Sequence, residues 1–507
     1  MPLNAFQNTL SYSRSNFAIT FPPLLDTLTS AYTAYGFTKL RTAYAGACCR
    51  VRTTGGTESD VGFDANGVVD AAALTTAAAG GTLYIKMWYD QSGNGKNLDI
   101  TTFNNSLAPK IVVSGVIVRD KYNNIGMRFD GTQAGVSENS FLTHATAFPN
   151  GDNTVVAHWS GITNSSNWFG HIYSSTNHGL NSSSFGVNWD LMMFKSGGNA
   201  TGGFVYTGAN QPEVLIASSD HTANKTYIWQ NGVVSQPGAD ITTPFTPDQQ
   251  IYIGYDRPSF RYRFNGILTE LVTWNKVFTA TERRIAWKTS QQKKNMPTPL
   301  YLICDGDSLT QGSGSGRSYI QQIHTLLTNS ANCYVFWNGG IGGSKWSDFD
   351  TQATTATNTG VAKNTGEDLI TFIEPNPYRL LLAWGGYNNF ATGQTVNQTY
   401  TEMLTYLTNR KNTGLYNQIA LISPHPSGIM SIRSQMQELA QLIRDELAPG
   451  GDLRALGITQ LVDLWTLPQF DDLNDPDDVN NYFDTVHMTV AGQLANANLI
   501  KSTLRLS

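Results

Sequence analysis

Four short groups of residues in the second half of the chain carry the parts that acyl transfer at a serine requires. These are a nucleophile, a general base, a group that orients the base, and donors for the oxyanion. The serine is Ser308, in Asp305-Gly306-Asp307-Ser308, where an apolar run from Leu300 to Cys304 meets a tight glycine turn and an amphipathic helix. A strand holds such a serine, the turn exposes it, and the helix N-terminus faces the developing negative charge. His487 is the base, and Asp484 lies three residues before it, so both fall on one side of a turn and the carboxylate can hold the imidazole in the required tautomer. The oxyanion donors are the Gly343 N–H, the Asn388 side-chain amide and the Ser308 N–H. Trp384, Tyr387 and His425 are candidate substrate contacts. No metal and no cofactor enters this chemistry.

Other residues compete for these roles. His324 sits beside Ile323 on a helical face and reads as structural. His425, in Ser423-Pro-His-Pro426, has no aspartate at a helpful spacing, so His487 is preferred. Asp307 is assigned to orienting the turn. The acidic stretch from Phe470 to Asp478, in a long loop, reads as solvated, since its spacing matches no calcium loop.

The elements that must position these residues begin at 300, where strands and helices alternate. The expected strands are Leu300 to Cys304, Cys333 to Trp337, Arg379 to Trp384, Gln418 to Ser423 and Gln460 to Trp465. Between them, Tyr319, Ile320, Ile323, Leu326 and Leu327 share a helical face. So do Val396, Tyr400, Met403, Leu404 and Leu407, and so do Ile432, Met436, Leu439, Ile443 and Leu447. A last helix follows Thr489. This βαβ series implies a parallel five-stranded sheet covered on both faces, with its site at the carboxyl ends of the strands.

Residues 31–290 read differently. Short alternating runs recur between Gly, Asn and Asp turns, including Thr82–Tyr89, Pro109–Val113, Thr154–Trp159, Pro212–Ala217, Lys225–Gln230 and Phe264–Trp274, with almost no helical period. That pattern predicts an all-β sandwich. Asn231-Gly232 is a hairpin signal, and Thr279 begins a capped helix. The turn Asp90-Gln-Ser-Gly-Asn-Gly95 reads first as an ordinary turn and second as part of a sugar site. Residues 1–30 form an arm, and 291–299, with two prolines, form the linker between the domains 31–290 and 300–507.

Length and composition narrow the class. A chain of 507 residues implies two or three domains. Only 14% of residues are charged, against about a quarter in a typical soluble domain, so the polar surface is mostly Ser, Thr, Asn and Gln. Such surfaces are frequent on extracellular, sugar-facing and virion β-proteins. The net charge of −5, with no basic run, argues against a nucleic-acid partner. No apolar run approaches the roughly 18 residues a membrane span needs. The start, Met1-Pro-Leu-Asn, has no basic or apolar leader region, so either no signal peptide directs export or one has been removed. Cys304 and Cys333 read as core residues, and Cys48-Cys49 as two free thiols rather than a strained vicinal disulfide.

The ordered set Gly306-Asp-Ser-Leu309, Gly340-Ile-Gly-Gly343, Gly386-Tyr-Asn388 and Asp484-Thr-Val-His487 resembles the four blocks of the SGNH (GDSL) hydrolase family over residues 300–507. The resemblance implies a flavodoxin-like three-layer fold and ester hydrolysis without a cofactor, in a family that includes lipases, thioesterases and carbohydrate deacetylases. The third block usually reads Gly-x-Asn-Asp, and Asn389 departs from it. Upstream, Ile228-Trp-Gln-Asn-Gly-Val-Val234, Ile253-Gly-Tyr255 and Phe264 to Glu270 resemble concanavalin-like (laminin-G-like) sandwiches. Lys39 to Tyr44, Arg50-Val-Arg52, Val61 to Asp64 and Trp88 to Gly95 are similar to the sandwich of the arabinofuranosidase B family. That family works with two carboxylates, and Asp190 is the nearest candidate here, so the fold and a sugar-binding surface carry over but the glycosidase activity does not.

The expectation is therefore a carbohydrate O-deacetylase acting on surface or cell-wall polysaccharide, with the sandwich as a glycan-binding or assembly module. The protein would be extracellular or virion-associated, and homo-oligomer or virion assembly stays open. Two rivals remain: an adhesive phage tail protein with a vestigial hydrolase, and an arabinofuranosidase-like glycosidase in the sandwich.

Overall fold

The structure, a computed structural model, describes residues 22–100, 108–130, 264–297, 299–311, 318–327, 332–340, 342–351, 378–414, 416–426, 429–467 and 486–506. It also describes single positions between them and the strands named below from 142 to 254. The chain forms two compact units that divide between Pro297 and Thr298.

The first unit is antiparallel. One run of neighbouring strands is Val233–Gln236, Lys225–Gln230, Pro212–Asp220, Asn153–Gly161 and Asn265–Trp274. The other edge of Asn265–Trp274 is shared by Thr33–Gly36 and Met127–Asp130. A second run passes from Asn199–Gly203 through Leu191–Ser196, Ser184–Asn188, Gly170–Ser175, Ile251–Ile253, Leu142–His144 and Leu98–Asp99. It continues through Leu83–Trp88 and Cys49–Thr53 to Glu58–Val61. Val155, Ala157, Trp159, Leu215 and Ala217 from the first run share one core with Ile85, Trp88, Leu142 and Ile253 from the second. Val155, Ala157 and Trp159, at alternate positions of one strand, face that core, as the period of two requires.

The expected capped helix is Ala280–Lys293. Thr279 and Glu282 make a reciprocal capping box, with Glu282 N–H donating to Thr279 Oγ1 at 3.3 Å and Thr279 N–H to Glu282 Oε2 at 2.9 Å. The helix packs on strand Pro212–Asp220. It runs on through Gln291, Gln292 and Lys293, so the first three residues of the expected linker are helical. These are good helix formers, and Pro297 is the first residue that cannot continue the pattern.

Two sequence expectations for this unit are corrected or sharpened. A helix, Ala71–Ala78, interrupts the strands, where no helical element was expected. Its alanines carry no amphipathic signal, but Asp70 caps it by accepting from Ala72 N–H and Ala73 N–H. The turn at Asp90 is structural. Asp90 Oδ1 accepts from Ala34 N–H and Ser92 N–H, both at 2.9 Å, and Oδ2 from Lys96 N–H at 3.0 Å. Gln91 bridges Leu40 N–H and the Gly36 carbonyl, both at 2.8 Å. With its acceptors spent on the backbone, Asp90 has a packing role. Cys48 and Cys49 are free and buried, as are Cys304 and Cys333. Asp190 and the arm up to Phe21 lie outside the described residues.

The second unit holds five parallel strands: β1 Leu300–Gly306, β2 Tyr334–Gly340, β3 Tyr378–Trp384, β4 Gln418–Ile422 and β5 Gln460–Val462. Their spatial order is β2-β1-β3-β4-β5, that of doubly wound flavodoxin-like sheets, whose switch point lies between β1 and β3. β1 is buried along its whole length, as a strand covered on both faces must be. Helix Val490–Thr503 packs on Tyr319–Leu326, while Val396–Asn412 packs on Trp346–Thr351 and Met430–Glu446. β5 is shorter than expected. Asp463 ends it by accepting from Trp465 N–H, which turns Leu464–Thr466 into a 3-10 helix. No helix among the described residues is long and apolar enough to cross a membrane.

Candidate active site

The register of the sheet puts three strand ends level. Gly306 of β1 is paired with Gly340 of β2 and with Trp384 of β3. The residues that follow, Asp307-Ser308, Gly342 to Ser344 and Gly385 to Asn388, therefore leave the sheet at the same edge, beside the switch point. Gly306 is required there. A Cβ on it would lie 2.1 Å from Thr310 Oγ1 and 2.7 Å from the Trp384 carbonyl oxygen.

Ser308 opens a four-residue helical turn, Ser308–Gln311. Asp307 Oδ1 accepts from Leu309 N–H at 2.9 Å and so caps that turn. Gln493, buried on the last helix, donates to the Leu309 carbonyl at 3.3 Å. The turn is thus fixed from both ends while Ser308 itself stays half-buried. His487 Nε2 lies 3.0 Å from Ser308 Oγ, a nucleophile–base hydrogen bond formed across 179 positions of chain. His487 precedes helix Val490–Thr503, whose cap, Thr489, accepts from Gly492 N–H at 3.2 Å.

Asn388 lies in a short helix, Tyr387–Ala391, where an irregular amide loop was expected. Its Nδ2 donates to Asp307 Oδ2 at 3.3 Å and to the Ser344 carbonyl at 3.0 Å. One side chain thereby joins the ends of β1, β2 and β3. Gly343 has a φ of +79° and open space where a Cβ would point. Asp307 is buried, and burial pushes its carboxyl up to about 7, opposed by the Leu309 N–H bond and the charge of His487. The native state then holds this proton more tightly than the unfolded chain. Between its ordinary 3.8 and about 7, the contribution of Asp307 to stability falls as pH rises. Asp307→Asn is accordingly expected to match the wild type near pH 4 and to be more stable at pH 8, on the order of 2–4 kcal/mol. Urea midpoints at the two pH values check this.

Asn389, where the resembling family carries an aspartate, is buried with its side chain saturated. Oδ1 accepts from Trp346 N–H at 3.2 Å, while Nδ2 donates to Glu402 Oε2 at 2.8 Å and Gln394 Oε1 at 2.6 Å. Glu402, on helix Val396–Asn412, brings a carboxylate to this neighbourhood. It also accepts from Gln394 Nε2 at 2.7 Å. Asn389→Asp would set two carboxylates against each other in a buried place, and is expected to cost about 1–3 kcal/mol. Addition of Glu402→Gln should recover part of that loss, as urea midpoints of the single and double variants would show.

The expected substrate contacts Trp384, Tyr387 and His425 differ in exposure. Trp384 is fully buried, edge-on to Tyr319 and to His425. His425 is also buried, and its Nε2 is 3.0 Å from the carbonyl of Val486, the residue before His487. It thus holds the segment that carries the base. The Pro-His-Pro setting gave no hint of this, because the partner is a backbone carbonyl 61 positions away. Tyr387 is half-buried beside the His425 ring. His324 is structural, edge-on to Phe336. Asp484 and the acidic loop up to Asp478 lie outside the described residues.

Sequence reading missed Asp305. It alternates with Cys304 on β1, is fully buried, and accepts from the Tyr406 hydroxyl at 2.6 Å, with Arg410 Nε at 3.9 Å. The signal available was a charged residue inside an otherwise apolar strand, which needs a buried partner.

No protein-family model matches the chain, and no curated protein matches it. Several solved structures are distantly similar. A lipolytic protein of the G-D-S-L family from Veillonella parvula is 14% identical over 41% of this chain and 100% of its own, with a TM-score of 0.31. An arabinofuranosidase complexed with arabinofuranosyl-α-1,2-xylobiose is 17% identical over 52% of this chain, with a TM-score of 0.39, and the chain spans 63% of its length. A Trypanosoma rangeli sialidase in complex with sialic acid is 15% identical over 41% of this chain and 32% of its own, with a TM-score of 0.30. At these identities and scores, none of them establishes a family or an activity.

Proposed function

We propose that the second unit is a serine esterase whose substrate is an O-acetylated polysaccharide. The observation that carries this reading is the 3.0 Å contact of His487 Nε2 with Ser308 Oγ, at the end of β1 and beside the switch point. His487 takes the hydroxyl proton as Ser308 Oγ bonds to the ester carbonyl carbon. The carbonyl oxygen becomes an oxyanion held by the Gly343 and Ser308 N–H groups and the Asn388 amide. The intermediate collapses, the C–O bond to the sugar breaks, and His487 gives its proton to the leaving sugar oxygen, leaving Ser308 acetylated. Water, deprotonated by the same imidazole, then bonds to the acyl carbon, the bond to Ser308 Oγ breaks to release acetate, and His487 returns the proton to Oγ. Asp484, three residues before His487, is proposed to orient the ring.

Substrate class rests on the remainder of the chain. The antiparallel unit, up to the break at Pro297, is proposed as a module that binds glycan or fixes assembly, on a surface rich in Ser, Thr and Asn. A short acyl group is proposed because the sequence offers no long apolar lid segment to accept an acyl chain. An extracellular or virion setting accords with this substrate. Incubation with a panel of acetylated polysaccharides should release acetate from at least one of them. A wild type that labels with a fluorophosphonate but releases no acetate would leave a general esterase, and a folded wild type that does not label would remove the enzyme reading.

A further inference from the structure

We propose that Asp307 is a positioning residue that fixes which end of the Asn388 amide faces the nucleophile turn. This deepens the esterase reading and rests on it. An amide side chain has two ends of similar shape and opposite hydrogen-bonding sense, and only the nitrogen end can donate to an oxyanion. Both acceptors around Asn388 Nδ2 select that end. Asp307 Oδ2 lies at 3.3 Å and the Ser344 carbonyl at 3.0 Å. With Asp307 ionised, an inverted amide would set its oxygen against a carboxylate and a carbonyl, two acceptors at hydrogen-bonding distance. Asp307 can do this because its other oxygen is already spent on Leu309 N–H at 2.9 Å, which fixes the carboxyl plane. Its position, one residue before Ser308, ties the orientation of the donor to the turn that carries the nucleophile. The two Nδ2 hydrogens are both engaged. The longer bond, to Asp307, is the one the forming oxyanion takes over.

An asparagine at 307 has one acceptor atom and two donors to satisfy, Leu309 N–H and Asn388 Nδ2. It keeps the shape of the side chain and must abandon one of the two bonds. The test uses the full chain, with p-nitrophenyl acetate as substrate and fluorophosphonate labelling of Ser308 as a second readout. Asp307→Asn is expected to lower kcat about 10–100-fold with KM nearly unchanged, and to slow labelling similarly, without lowering the melting temperature. A role in stability alone would not separate these readouts. Asn388→Ala is expected to lower kcat about 10²–10³-fold. Asp307→Asn added to Asn388→Ala should cost little more, because both act through one amide. Multiplying losses in the double variant, or an unchanged kcat in Asp307→Asn, would overturn the proposal while leaving the esterase reading intact. A folded wild type that neither labels nor hydrolyses the ester would remove both.

Discussion

Ser308→Ala is expected to lower kcat for ester hydrolysis by about 10⁴–10⁶-fold while leaving the fold and substrate affinity nearly unchanged. The loss follows from chemistry, since the Oγ that His487 Nε2 approaches at 3.0 Å is the atom that must bond to the acyl carbon. In serine hydrolases the nucleophile and its base act as a unit, so removal of either takes away most of the rate, and what remains comes from the oxyanion donors and binding. The side chain is small and half-buried, and among the described residues its one hydrogen-bond partner is His487, so stability should move by less than about 1 kcal/mol. Acetate release and fluorophosphonate labelling, with urea midpoints in parallel, check both halves. Labelling that persists in a folded Ser308→Ala variant would place the nucleophile elsewhere.

Gly306→Ala is expected to damage both stability and rate. The added methyl would lie 2.7 Å from the Trp384 carbonyl oxygen on the neighbouring strand and 2.1 Å from Thr310 Oγ1. Thr310 is buried in the nucleophile turn, and Trp384 is fixed in the β3 ladder, so neither can give way cheaply. A loss of about 3 kcal/mol or more is expected. What folds should also turn over at least about 10²-fold slower, because β1 can relieve the clash only by moving Asp307 and Ser308 with it. The separation of effects distinguishes this variant from Ser308→Ala, which removes rate alone. A Gly306→Ala variant with wild-type stability would mean that β1 and β3 approach less closely than described.

The parts of the site that sequence could reveal are those where local chain chemistry and function coincide. Ser308 and Asn388 stand at turns that follow apolar runs, and such runs read as strands without knowledge of their neighbours. The caps at Thr279 and Thr489 are local as well. What was hidden depends on pairs made across the fold. Nothing near Asn389 in the chain announces Glu402 as its partner, since the two meet only when helix Val396–Asn412 packs back over the β3 end. His425 read as a rival base because its partner, the Val486 carbonyl, carries no sequence signal at all. Asp305, at the end of an apolar run, signals that it needs a buried partner, but nothing in the chain names Tyr406 and Arg410, about a hundred positions on, as the groups beside it. Helix Ala71–Ala78 escaped for a different reason. An alanine run has high helix propensity and no amphipathic period, and a reading based on periodicity passes over it.

The 179 positions between Ser308 and His487 bear on when activity can arise during folding. The first strand of the sheet, its nucleophile turn and the amide from β3 can come together while the chain from β4 onward is still unpaired. The base joins only when helix Val490–Thr503 docks on Tyr319–Leu326, closing a loop that spans nearly the whole unit. Long loops close late and slowly. A nascent or partly refolded chain would thus hold an exposed serine with no base, inert toward esters, and the onset of hydrolysis during refolding would report the docking of that last helix rather than the formation of the sheet.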